Sequence, residues 1–194
     1  MERTRYSKLI VFLDGASASG KSTIKNRLLA DVELGFHYIR RYTTRVQRAD
    51  DAANSDYIFL SEADFRQREL AGELLEWRHF LFGMSYGLGW PEIREGMASG
   101  KNLLAVMNLG NVGHVKRQLP DCVCVLVNAP LDQIERRIRA RGLNTEQEIS
   151  ERVNNARQAK AAAREYDLIC TNHDGAGEEA YDRLRDVLLS LQRP

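Results

Sequence analysis

Leu9-Ile10-Val11-Phe12-Leu13-Asp14, followed by Gly15-Ala16-Ser17-Ala18-Ser19-Gly20-Lys21-Ser22-Thr23, is the stretch that decides the fold. A run that is apolar at every position from Leu9 to Leu13 suits a strand buried on both faces of a parallel sheet, since a half-exposed strand would alternate. From Lys21 to about Asp31, Ile24, Leu28 and Leu29 recur at helical spacing. Strand, glycine-rich turn and helix therefore follow in order, with the G-x-x-x-x-G-K-S spacing of a P-loop complete. Backbone N–H groups pointing inward from such a turn neutralise a triphosphate without side chains in the way. Gly15, Ala16, Ser17, Ala18, Ser19, Gly20, Lys21, Ser22 and Thr23 are read as the ATP-binding residues. Lys21 reaches the β- and γ-phosphates as a catalytic group, and the Ser22 hydroxyl is placed to ligate Mg²⁺. Asp14 reads as the end of the strand, with a magnesium- or proton-handling role as the alternative.

Working outward, apolar runs return at Leu103–Met107, Val123–Val127 and Leu168–Cys170, separated by helical stretches. The pattern predicts a three-layer α/β domain with a parallel central sheet. Thr145-Glu146-Gln147-Glu148 is a capping box opening a helix that runs to about Arg164, and a last helix spans roughly Glu178–Leu191. The segment 38–89 has a different texture, rich in Arg, Asp, Glu and aromatics, with strand-like pieces near Ile39 and Tyr57-Ile58-Phe59 and a helix from Glu62 capped by Ser61. It reads as an acceptor-binding lobe inserted into a core of 8–37 and 100–194.

The bulk properties fit that reading. A chain of 194 residues with 43% hydrophobic content suits one domain with one sizeable core. Lys plus Arg (28) and Asp plus Glu (27) nearly cancel, so no positive field draws the protein to nucleic acid or an anionic membrane, and a small-molecule partner is expected. The Leu9–Leu13 run is far shorter than a secretory or bilayer-spanning segment, which gives a cytoplasmic expectation. Cys122, Cys124 and Cys170 read as small core hydrophobes. The guanine-reading N-K-x-D motif of GTPases is absent, Thr171-Asn172-His173-Asp174 being only an echo of it, so a molecular switch is disfavoured.

Arg40, Arg41, Arg45 and Arg48 crowd together, followed by Asp51, Tyr57, Glu76 and Tyr86, a set suited to a second phosphate besides those of ATP. Tyr42-Thr43-Thr44-Arg45-Val46-Gln47-Arg48, Asp56-Tyr57-Ile58-Phe59, Gly72-Glu73-Leu74-Leu75-Glu76-Trp77 and Ser85-Tyr86-Gly87 resemble, in order, the T-T-R-x-x-R, D-Y-x-F, G-E-F-x-E and Y-Y-G elements of guanylate kinase. The resemblance spans about residues 8–172. It implies that Arg45, Arg48, Tyr57 and Tyr86 hold the acceptor's phosphate and that Glu76 reads a guanine edge. The departures lie where guanine would be recognised: Leu88 stands in place of a hydroxyl residue, Arg41 or Tyr42 in place of a serine, and Val106-Met107-Asn108-Leu109-Gly110 in place of I-D-x-Q-G. A base polar group left unpaired by a leucine costs about 1–3 kcal/mol. The chain is also similar to the ribose 1,5-bisphosphate kinase of phosphonate breakdown in Tyr86-Gly87-Leu88-Gly89 and Met107-Asn108-Leu109-Gly110. A phosphorylated sugar and GMP therefore stand side by side as acceptors, the departures tilting toward the sugar, although Leu88 and Trp90 read equally well as core packing.

Arg136, Arg137, Arg139 and Arg141 crowd a helix end, and Arg152 follows in the next helix. Arg141-Gly142-Leu143-Asn144-Thr145-Glu146 to Arg152 looks like the lid of such kinases, about 139–152, whose arginines clamp the transferring phosphoryl group, which makes Arg141 and Arg152 catalytic candidates. Arg136 and Arg137 are explained by the helix dipole. The reading implies direct transfer from ATP with Mg²⁺ to a small phosphorylated acceptor, in a monomer or homodimer. A non-catalytic guanylate kinase-like binding module is the rival, against which the intact P-loop and the lid arginines argue.

Overall fold

The computed structural model describes residues 7–47, 51, 56–80, 83–142 and 144–192. The chain runs β1 (Ile10–Asp14), α1 (Lys21–Ala30), β2 (Phe36–Ile39), β3 (Arg41–Thr43), β4 (Tyr57–Phe59), α2 (Glu62–Leu70), β5 (Leu74–His79), β6 (Ser85–Gly89), α3 (Trp90–Ala98), β7 (Asn102–Val106), α4 (Val112–Gln118), β8 (Val123–Asn128), α5 (Leu131–Ala140), α6 (Glu146–Ala161), β9 (Leu168–Thr171) and α7 (Gly177–Leu191). Five strands form a parallel sheet in the order β2-β7-β1-β8-β9, with Ile10 opposite Leu103 and Val11 opposite Val123.

Side-chain alternation along these strands divides the core into two. Val11, Leu13, Leu104, Val106, Val125 and Val127 share one buried cluster with Ile24 and Leu28 of α1 and Leu184 and Leu188 of α7. Phe12, Leu103, Ala105, Cys124 and Leu126 share the other with Ile93 of α3, Val115 of α4 and Ala159 of α6. Because both faces are covered at the centre of the sheet, β1, β7 and β8 are apolar along nearly their whole length, and three layers result. The three cysteines are free and buried. Among the described residues no helix is long and apolar enough to cross a membrane.

A second, four-stranded sheet of order β4-β3-β6-β5 carries the inserted segment, with β3 and β4 parallel and the β3–β6 and β5–β6 pairs antiparallel. Its first strand begins three residues after the composition shift at Tyr38. Tyr38 and Ile39, expected in the insertion, pair with Leu104 and Ala105 in the central sheet, and Arg41 opens the second sheet. Ser61 caps α2 by accepting from Asp64 N at 3.1 Å, and Thr145 and Glu148 form the capping box of α6.

Candidate active site

The phosphate loop is shaped by residues that few side chains could replace. Gly15 has φ +148°, and a Cβ there would sit 2.2 Å from the Val127 carbonyl oxygen. Gly20, at φ +95°, caps α1, so the helix N-terminus opens onto the loop. Between them Ala18 holds φ 63°, a costly conformation for a residue with a Cβ. The loop is fastened by long-range donors: Asn172 Nδ2 reaches Ser19 O at 3.1 Å and Arg137 Nη1 reaches Ala18 O at 3.1 Å. Ala16 and Ala18 share a buried cluster with Ile134 and Ile138 of α5 and Ile149 and Ala156 of α6. Arg137, assigned from sequence to the helix dipole, is instead tied to the loop, and also donates to Asn172 O and to Asp174.

Asp14 is fully buried and accepts from Gly15 N at 2.6 Å and from the Tyr166 hydroxyl. Burial pushes its pKa up, against the hydrogen bonds from Tyr166 and Gly15. Loss of water lowers the Lys21 pKa to about 8; the Asp14 charge opposes that shift, and the Arg41 and Arg141 charges add to it. Ser22 and Thr23 are exposed on the first turn of α1. Arg152 donates to Ser17 Oγ at 3.0 Å, so α6 delivers its arginine to the loop, and Arg141 lies near enough to act on Lys21.

Facing the loop, Tyr57 and Tyr86 meet edge to face at 5.8 Å between ring centres, with the Arg45 guanidinium 5.2 Å from the Tyr57 ring centre. Arg45 grips Asp51 with two bonds of 2.8 Å, which raises its pKa further; the same planar fork suits a phosphate. Arg48 lies outside the described residues. Arg41, 7% exposed, donates to Asn108 Oδ1, faces the Tyr86 ring and leaves its Nε without a partner among the described residues. Glu76 is buried and accepts from Asn108 Nδ2 at 3.0 Å and Asn111 Nδ2 at 2.6 Å; burial raises its pKa, with the Arg41 charge the chief opposing influence. Leu88 is 0% exposed among Phe12, Ile39, Leu75 and Ile93, so it packs the core, and the sequence argument against GMP has no support at that position.

Lys21, Ser22, Lys25, Tyr38, Arg41, Asp56, Tyr57 and Val106 line one cavity of about 80 Å³, which brings residues read as donor-binding and acceptor-binding to a single place. A family model of guanylate kinase matches residues 6–191. The chain belongs to the guanylate kinase family. The guanylate kinase of Rubrobacter xylanophilus is 32% identical over 190 residues, 97% of this chain and 95% of the relative. That of Chlamydia trachomatis is 31% identical over 186 residues, 95% and 88% of the two chains. The crystal structure of guanylate kinase from Anaplasma phagocytophilum aligns with a TM-score of 0.74 at 21% identity, covering 98% of this chain and 89% of that one, a likeness of fold. As a member of the guanylate kinase family the chain is a P-loop phosphotransferase whose acceptor group is a phosphate.

Sequence reasoning gave no site role to Tyr166, Arg137, Asn172 or Lys25, and saw Asp56 only as the first residue of the Asp56-Tyr57-Ile58-Phe59 motif. Asn172 was visible only as the echo of a GTPase motif, and Arg137 only as one of a run of arginines.

Proposed function

We propose that the chain transfers the γ-phosphoryl group of ATP to the phosphate of a nucleoside monophosphate, GMP in the first instance. The observation that carries the reading is the shared cavity between Lys21 and Ser22 on one side and Arg41 and Tyr57 on the other. The family comparisons direct it to GMP, with Glu76 as the group that would face the base. Lys21 and the amides of Gly15–Ser22 hold the triphosphate, Arg45, Arg48, Tyr57 and Tyr86 hold the acceptor phosphate, and Arg141 and Arg152 neutralise the group in transit. Acceptor phosphate oxygens are ionised near neutral pH, so no strong general base is needed. Arg45 exchanges Asp51 for the acceptor as it binds.

The Ser22 hydroxyl, an oxygen donor lining the cavity beside Lys21, is the residue that would hold a magnesium ion brought in with the triphosphate. When bound, it would neutralise negative charge on the triphosphate.

A second reading, a phosphorylated sugar with another anionic group, is favoured by one observation: Arg41 brings an extra buried guanidinium to the acceptor side, with a donor that has no partner among the described residues. ADP release from ATP and magnesium, measured across nucleoside monophosphates and sugar phosphates, tests both. GMP should give the highest kcat/KM and should lose it in Glu76→Ala. A sugar bisphosphate outrunning GMP, with Arg41→Ala abolishing the advantage, establishes the second reading instead. No ATP-induced rise in melting temperature, together with no turnover on any acceptor, would leave a binding module.

A further inference from the structure

Lys25 is a cation where α1 would be expected to bury an apolar residue. It lies four residues after Lys21, hence on the same helix face, and is 6% exposed with its ammonium 4.9 Å from the Tyr38 ring centre. Its Nζ contacts both carboxylate oxygens of Asp56, 2.5 Å to Oδ1, and the two side chains are 7% and 36% exposed. Burial of Lys25 shields its side of the pair from the solvent and salt that make surface ion pairs weak.

Asp56 connects elsewhere through its main chain. Its carbonyl accepts from Arg41 N at 3.0 Å, and the next residue, Tyr57, opens β4. One ion pair thus joins the helix that begins at the phosphate loop to both acceptor-sheet residues of the shared cavity. The pair also stands where that cavity meets a groove of about 870 Å³ lined by Asn26, Leu29, His37, Arg40 and Glu95.

We propose that Lys25 and Asp56 are a positioning pair that sets the separation between the ATP-binding loop and the acceptor sheet, and so the alignment of the two phosphates. The inference rests on the reading of the preceding subsection. The role assigned is one of placement, each residue acting through Lys21, Arg41 and Tyr57.

Steady-state kinetics with the acceptor that wild type uses, combined with amide hydrogen exchange, tests the pair. Because small misplacements of reactants are costly, Lys25→Met and Asp56→Asn should each lower kcat/KM for the acceptor about tenfold or more, with kcat falling and KM for ATP little changed. Lys25→Arg should recover most of the loss, and the double variant should lose no more than either single one, as expected of groups that act together. Exchange at the Arg41 amide should quicken in both single variants. Should Lys25→Met not fold, Asp56→Asn, close in size, carries the same comparison. Unaltered acceptor kinetics in these variants, single effects that multiply in the double variant, or unchanged Arg41 exchange overturns the proposal. A wild type without turnover on any acceptor overturns the functional reading instead, and the exchange comparison then still decides on the pair.

Discussion

Gly15→Ala offers a test of how tightly the phosphate loop is drawn against the sheet. The new Cβ would lie 2.2 Å from a backbone carbonyl oxygen, that of Val127 in β8, which is held by pairing on both sides and cannot give way like the end of a side chain. A non-glycine residue at φ +148° adds about 1–3 kcal/mol of backbone strain, and overpacking adds about 1–3 kcal/mol more. The sum, about 2–6 kcal/mol, lowers the melting temperature of a chain of this length by about 5–20 °C. Gly72→Ala is the control: its φ is +68°, but a Cβ there meets nothing within 4 Å, so it carries strain without collision. Thermal melts with and without ATP and magnesium separate the two. At a ligand concentration a hundred times Kd, wild type and Gly72→Ala should gain about 2.7 kcal/mol of stability from ATP. Gly15→Ala should gain little, because the displaced loop no longer aims its amides at the phosphates. A Gly15→Ala protein that melts with the Gly72→Ala variant and keeps the full ATP-induced rise refutes the reasoning.

With the Lys21 pKa lowered to about 8, part of the ammonium is neutral in the free protein just above neutrality, and ATP must pull a proton onto it. ATP affinity should therefore fall as pH rises above 8, by up to about tenfold per unit, with proton uptake in calorimetry across buffers of different ionisation enthalpy; a flat affinity from pH 7 to 9.5 contradicts this. Tyr166→Phe removes the hydroxyl that donates to buried Asp14 and should cost about 1–3 kcal/mol, read as a lower melting temperature; a melt unchanged from wild type would show that the hydroxyl does not support Asp14.

Local physics made much of this chain readable. The β1 strand, the glycine turn and α1 are specified within about twenty consecutive residues, and the Thr145 capping box announced α6 through contacts three residues apart. What escaped depends on distance along the chain. Ile39 reads as part of a polar segment until β7, some sixty residues later, pairs with it. β3 is three residues long, too short to show a period, and β6 contains two glycines. The same holds within the site. Lys21, Ser22, Arg45 and Tyr57 stand in motifs, whereas Arg137, Asn172 and Tyr166 reach their partners across 119, 153 and 152 positions, so no window of sequence links them to the phosphate loop. Leu88, close to a motif tyrosine, read as well for substrate chemistry as for core packing, and its burial among Phe12, Ile39, Leu75 and Ile93 decides for packing.

Arg137 sits in the last turn of α5, one turn before Arg141, with its guanidinium on the carbonyl of Ala18. With that bond made, α5 cannot turn or slide away from the loop without giving up a partner for the Ala18 carbonyl, so the place of Arg141, four residues on, is tied to the shape of the loop.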